Sequence, residues 1–240
     1  MANNATLHFD VHGNGEPLLL LHGFTGASEN WAATVRQWSD RYQLVVPDLP
    51  GHGRSGTLAR PFRHRDAAAE VLALLDRLGI PSCKGLGISC GGNVLLHMAT
   101  MQPERVASMV LVSATPWYPE SARTVMRQHR VIVSERQWEV LRQTHPGGHA
   151  QIQALLESAE SFADSHDDMN FTPPLLATIR ARSLIVQGDR DPLYPVELSV
   201  EMARAIPNSS LWIVPNAGHG PVIGDKWDQF LATADAFLRG

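Results

Sequence analysis

Short, largely apolar runs, each followed by a longer amphipathic stretch, constrain this chain more than any other feature. Leu18–Leu21, Leu44–Val46, Lys84–Ile88, Met109–Val112, Ser183–Val186 and Leu211–Val214 read as strands. A strand with no polar face is one buried on both faces, as in a parallel sheet covered by helices. Between these runs, the segment from about Arg65 to Leu78 sets Ala68, Val71, Leu72 and Leu75 on one helical stripe. It stops at Gly79, with Pro81 just beyond, a helix ending. Gly91 to about Met101, Val196–Ala205 and Trp227–Leu238 read as further helices. Thr6–His12 alternates and ends in Gly13-Asn14-Gly15, as an edge strand does. From Pro116 to Pro174 the rhythm breaks into helical stripes without a strand run. The expected division is an α/β core of residues 1–115 and 175–240 with a helical insertion at 116–174.

A chain of 240 residues can fill such a core. Scaling predicts about 10,600 Å² exposed when folded, against roughly 38,000 Å² unfolded. With 44% hydrophobic and 18% charged residues the chain is not disordered. The net charge of −4, with scattered arginines as the main cations, speaks against nucleic-acid binding. No apolar run reaches the length of a membrane-spanning helix. No Lys or Arg precedes Arg36, so the basic start of a signal peptide is missing. Cys83 and Cys90 are separated by a strand too extended to bridge, so two free thiols and a cytoplasmic setting are expected. No segment identifies a subunit interface.

Gly87-Ile88-Ser89-Cys90-Gly91-Gly92 carries the chemistry. Chance alone supplies Gly-x-Ser-x-Gly roughly once in ten chains of this composition, so the pattern is weak by itself. Its setting is informative, because it joins the end of a buried strand to the start of a helix. A nucleophilic serine needs such a sharp turn to lift its hydroxyl above the sheet, and flanking glycines remove side chains that would clash there. The same turn would also suit a phosphate at a helix N-terminus.

At this point the chain resembles the α/β-hydrolase family, whose nucleophile elbow has this pattern and whose triad runs nucleophile, acid, histidine along the chain. Two downstream segments fit. Val186-Gln187-Gly188-Asp189-Arg190-Asp191-Pro192 follows one strand, and Asn216-Ala217-Gly218-His219-Gly220 follows the next. His22-Gly23-Phe24 resembles the family's oxyanion segment, Asp48 to Ser55 its next turn, and the helical insertion its cap. The resemblance spans the whole chain. It implies a mostly parallel twisted sheet with helices on both faces and a small helical cap.

The resemblance further implies Ser89 as nucleophile, His219 as general base and Asp191 as the acid, with the backbone N–H groups of Phe24 and Cys90 as the oxyanion hole. Asp191 stands at the family's spacing after Gly188, and Pro192 biases it toward extended backbone. Asp189 is expected to cap a turn. The strand end at Val112-Ser113-Ala114-Thr115, an alternative origin of the acid, offers no carboxylate. Trp117, Phe171 and Leu193 are expected to line the substrate pocket.

His145-Pro146-Gly147-Gly148-His149 lacks a third ligand, so no metal site is expected. Arg123, Arg127 and Arg130 share a helical stripe expected to face solvent, and His22 and His52 are expected to brace loops. No cofactor is implied. The leading expectation is a serine hydrolase acting on a small-molecule ester or lactone. Lactonase, C–C bond hydrolase and acyltransferase chemistry on the same triad, or a ligand receptor on a hydrolase scaffold, are the alternatives. Serine at the elbow tip speaks against branches that use aspartate there, and Gly220 after the histidine lowers the C–C reading.

Overall fold

In the computed structural model, which describes residues 7–128 and 134–240, seven strands form one sheet. They are β1 (Phe9–His12), β2 (Glu16–Leu21), β3 (Tyr42–Pro47), β4 (Cys83–Ile88), β5 (Val106–Val112), β6 (Arg182–Gly188) and β7 (Ser209–Val214). Their spatial order is β1-β3-β2-β4-β5-β6-β7, with β1 antiparallel to β3 and the other pairs parallel. The antiparallel strand is the N-terminal edge; Thr6, the start of its expected range, lies outside the described residues. The direction of winding reverses between β2 and β4. Open α/β sheets bind ligands at such a crevice, beyond the carboxyl ends of the strands.

Period-two alternation explains the absence of a polar face. Leu19 and Leu21 enter one core with Val45, Met109 and Leu111, while Leu18 and Leu20 enter the other with Leu44, Leu86 and Val110. Each fully buried leucine stabilises the fold by about 1.5–3 kcal/mol relative to exposure.

The helices in chain order are α1 (Ala32–Trp38), α2 (His64–Arg77), α3 (Cys90–Met101), α4 (Glu120–Arg127), α5 (Glu135–Thr144), α6 (Gly148–Ser161), α7 (Pro173–Leu176), α8 (Val196–Ala205) and α9 (Trp227–Arg239). α2, α3 and α8 supply the first core, and α1 and α9 the second through Trp38, Phe230, Leu231 and Leu238. Lys84, buried in β4, caps the carboxyl end of α9 at the Leu238 carbonyl and pairs with Glu16 at 2.6 Å. The exposed area, 10672 Å², matches that of a single folded body of this mass. Cys83 and Cys90 are both free and buried. Among the described residues no helix is long and apolar enough to cross a membrane.

Among the described residues, helices α4–α7 lie between β5 and β6. Here the arginine stripe departs from expectation. Arg123 is buried, and its guanidinium donates to the carbonyls of Tyr118, Phe162, Ala163 and Ser165. A charge can be buried when every N–H finds an acceptor; of these carbonyls, that of Phe162 also accepts the Ser165 N–H at 3.2 Å. Arg127 is exposed and pairs with Glu120 at 2.6 Å; Arg130 lies outside the described residues.

The insertion also completes the core. α2 begins at His64 without a capping side chain of its own. Asp168 fills that role from 104 residues away, accepting the His64 N–H at 2.8 Å, the Arg65 N–H at 3.1 Å and the His64 Nδ1–H at 2.8 Å. Burial acts to raise the Asp168 pKa, but these hydrogen bonds and the neighbouring His64 outweigh it and hold the carboxyl well below the usual range.

Candidate active site

Ser89 stands between β4 and α3, at the switch point of the sheet. Its backbone has φ +51° and ψ −113°, a conformation that costs a non-glycine residue about 1–3 kcal/mol. Hydrogen bonds on both sides hold it there: its N–H donates to the Val112 carbonyl at 2.7 Å, and its carbonyl accepts the Asn93 N–H at 2.9 Å. The flanking glycines are required by space. A Cβ on Gly87 would stand 2.5 Å from the Gly91 carbonyl, and one on Gly91 2.2 Å from the Leu21 carbonyl oxygen.

Ser89 Oγ is 2.9 Å from His219 Nε2, and His219 Nδ1 is 2.8 Å from Asp191 Oδ2. Three expected side chains, from the ends of β4, β6 and β7, thus form one continuous hydrogen-bonded chain. The Asp191 side chain is fully buried, whereas that of His219 is 26% exposed. Asp191 Oδ1 accepts the N–H groups of Leu193 at 2.8 Å and Tyr194 at 3.1 Å, and Oδ2 also accepts from Gln187 Nε2 at 2.9 Å. Burial pushes the Asp191 pKa up, but the His219 contact and the two backbone N–H groups more than offset it, so the carboxyl stays ionised below the usual range. That anion fixes Nδ1–H as donor and leaves Nε2 free to accept the serine proton. Asp189 is exposed and accepts the Ala217 N–H at 3.1 Å, tying the loop after β6 to the one after β7.

The N–H groups of Cys90 and Phe24 have no protein acceptor among the described residues. Cys90 is the first residue of α3, so its N–H has no intrahelical partner, and the positive end of the helix dipole adds to it. The Phe24 N–H belongs to the Gly23–Phe24 peptide, whose oxygen is held by His22 Nδ1–H at 2.8 Å and by the Gly26 N–H at 3.0 Å. Because that peptide is planar, fixing its C=O fixes the N–H. His22 Nε2 accepts the Leu49 N–H at 3.0 Å, and burial lowers its pKa to about 4, so the ring is neutral. Burial also pushes the Cys90 thiol up, far from a reactive thiolate.

Beside the elbow, a cavity of about 600 Å³ lies between the segments 22–31 and 223–227. Phe24, Trp31, Ile88, Ile223 and Trp227 give it an apolar wall, with no charged side chain among the lining residues. None of the expected pocket residues Leu193, Trp117 and Phe171 lines this cavity; Leu193 sits against Asp191 through its N–H. Trp117 forms an isolated bridge with Asn170, and the Phe171 ring packs 4.7 Å from that of His97, about two turns along α3 from Ser89. The Phe171 N–H bonds to the Pro116 carbonyl, which turns its ring into the seam between α3 and the insertion.

Sequence reasoning passed over three residues that support this arrangement. Gln187 spans Asp191 and the Tyr194 carbonyl, the latter at 2.8 Å. Ser113 Oγ accepts the N–H of Gly220, next to His219, at 3.1 Å. Asn93 Oδ1 accepts the Thr115 N–H at 3.0 Å. A polar residue at the end of an otherwise apolar strand was the available signal for Gln187 and Ser113; Asn93 had none.

A family model described as "alpha/beta hydrolase fold" matches residues 16–174, and one described as "TAP-like protein" matches residues 167–239. The chain is 29% identical, over 97% of its length and 99% of the relative's, to a pimeloyl-[acyl-carrier protein] methyl ester esterase of Nitrosomonas europaea. It is 22% identical, over 91% of its length and 89% of the relative's, to an (E)-2-((N-methylformamido)methylene)succinate hydrolase of Acinetobacter baylyi. Among solved structures, a hydrolase from Pseudomonas aeruginosa superposes with a TM-score of 0.81 at 21% identity, covering 100% of this chain and 97% of that one.

Proposed function

The chain belongs to the α/β-hydrolase family, and from that premise we propose that it is a serine hydrolase cleaving a small carboxylic ester through an acyl-enzyme. The observation that carries this reading is the unbroken pair of hydrogen bonds from Ser89 to His219 at 2.9 Å and from His219 to Asp191 at 2.8 Å. The ester reading takes support from the methyl ester esterase relative.

In this mechanism Ser89 Oγ attacks the ester carbonyl carbon as His219 Nε2 takes its proton. The ionised Asp191 stabilises the imidazolium. The Phe24 and Cys90 N–H groups receive the charge that grows on the carbonyl oxygen, and donors of this kind contribute roughly 3–4 kcal/mol each. The tetrahedral intermediate collapses, His219 returns the proton to the leaving alcohol, and the acyl group stays on Ser89. Water, deprotonated by His219, then releases the acid and restores the serine. Every step draws on side chains and backbone of this chain. Residues 116–174 serve as a cap over the core formed by 1–115 and 175–240. Two buried thiols suit a reducing compartment, and the cytoplasm is the setting we assign.

The test is hydrolysis of p-nitrophenyl esters from acetate to decanoate by wild type and Ser89→Ala. Turnover that falls by roughly 10⁴–10⁶ in the variant is the expected result. Equal rates for the two proteins on every ester would refute the reading.

A further inference from the structure

His145, in the loop between α5 and α6, is fully buried yet lies far in sequence from the triad. Its Nδ1 is 3.0 Å from the Gly53 N–H, which can only donate, so Nδ1 is the acceptor. The proton of the neutral ring therefore sits on Nε2, and Nε2 is 3.1 Å from the Thr25 carbonyl oxygen. Burial lowers the pKa of this ring against the opposing pull of the Thr25 carbonyl and Asp48, in keeping with the neutral form.

The Thr25 carbonyl belongs to the Thr25–Gly26 peptide, and the N–H of that same peptide donates to the Gly23 carbonyl at 3.0 Å. Gly23 O is in turn the oxygen of the peptide that carries the Phe24 N–H. Two hydrogen bonds and two planar units thus connect an insertion side chain to the oxyanion donor. The turn has reason to relax without an external hold, because Thr25, a β-branched residue, stands at φ +63°. A second contact from the insertion, the Phe162 ring 5.1 Å from that of Phe24, presses on the same segment.

We infer that His145 is a positioning residue: its Nε2–H bond to Thr25 sets the direction of the Phe24 N–H, so the seating of the insertion governs the strength of the oxyanion hole. This rests on the reading of Ser89 as nucleophile.

Two substitutions separate this role from simple anchoring. In His145→Asn the amide oxygen stands where Nδ1 does and keeps the Gly53 bond, but the side chain is too short to reach Thr25. In His145→Gln the amide nitrogen stands where Nε2 does and keeps the Thr25 bond, while Gly53 is lost. For each we would measure kcat and KM on the ester series, the rate at which a fluorophosphonate labels Ser89, and Tm. The labelling rate reports the same oxyanion hole without an ester substrate.

His145→Asn is expected to lower kcat and the labelling rate by about 10–100-fold, with KM within about threefold. His145→Gln is expected to keep both rates within about threefold of wild type. Rates unchanged in His145→Asn, or rates in both variants falling in step with Tm, would overturn the inference. Should His145→Asn not fold, a folded His145→Gln with wild-type Tm and a rate loss above about tenfold would overturn it as well. Wild type that is labelled but hydrolyses no ester would sink the ester reading alone and leave the labelling rates to decide this one. Wild type that shows neither reaction would overturn both.

Discussion

Replacing Asp191 by asparagine changes one atom, and the surrounding hydrogen bonds dictate which way the new amide must face. Asp191 Oδ1 accepts two backbone N–H groups, from Leu193 and Tyr194, and these can be satisfied only by an oxygen. The oxygen of the introduced amide must stay there, so its NH2 takes the place of Oδ2, facing His219 Nδ1 at 2.8 Å and Gln187 Nε2 at 2.9 Å. Both of those neighbours are donors in the wild type. Gln187 can answer by rotating its amide to bring in Oε1, which has no partner among the described residues, but only by giving up its bond to the Tyr194 carbonyl. His219 can answer only by moving its proton from Nδ1 to Nε2, and a protonated Nε2 no longer accepts the proton of Ser89. The wrong tautomer of a triad histidine lowers kcat by about 10⁴, equivalent to about 5.5 kcal/mol of transition-state stabilisation. The assay is steady-state hydrolysis of the best p-nitrophenyl ester by wild type, Asp191→Asn and Asp189→Asn, with thermal melts alongside. Asp189 is exposed and holds only a loop, so its variant should stay within about threefold of wild type. Asp191→Asn within about tenfold of the wild-type kcat would refute the tautomer argument, as would an equal loss in Asp189→Asn.

Three further outcomes follow from other parts of the molecule. Arg123→Met leaves the carbonyls of Tyr118, Ala163 and Ser165 short of a donor, and should cost about 3 kcal/mol, seen in calorimetry as a Tm lower by roughly 6–12 °C; an unchanged Tm would contradict the buried clamp. The Asp168 carboxyl is held below its usual range, so its contribution is complete above the unfolded carboxyl pKa and disappears as the pH falls. Wild type should therefore lose more stability than Asp168→Asn between about pH 5 and pH 2, and parallel denaturation curves across that range would refute the assignment. Burial pushes the Cys83 thiol up to about 12 and the Cys90 thiol up as well, so a disulfide reagent at mildly alkaline pH should label neither in the native protein and both in denaturant. Prompt native labelling of either would show that the core opens at that point.

The strands were readable because two-sided burial removes the polar face, and a run such as Leu18–Leu21 has no other use in a chain of this composition. α3 and α9 were readable from their stripes and boundaries. α1 leaves no such mark in the sequence: it buries Thr34 and Trp38 in only seven residues, too short to build a periodic signal. The start of α2 was only approximate because its cap, Asp168, is distant in sequence and local rules search nearby. The arginine stripe misled for a related reason. Periodicity shows which residues share a face, while what that face meets is decided by loops such as Phe162 to Ser165. The order of Ser89, Asp191 and His219 was legible through motif and strand ends; Ser113 and His145 act through backbone atoms, and Gln187 through the Asp191 carboxylate and the Tyr194 carbonyl, whose positions only the folded chain reveals.

Arg123 and His145 share one habit: each side chain of the insertion binds main-chain carbonyls, those of Tyr118, Phe162, Ala163 and Ser165 in one case and that of Thr25 in the other. A carbonyl is present whatever residue bears it. The side chains at Ala163, Ser165 and Thr25 take no part in these bonds, so they can drift or be redesigned with the joint intact, whereas Arg123 and His145 cannot. Arg123 grips carbonyls of the insertion itself and braces that unit from within, whereas His145 reaches across to the core at Thr25. For anyone grafting a different insertion onto this core, the donor at the His145 position is the one to keep, because the carbonyl it meets at Thr25 stays behind with the core.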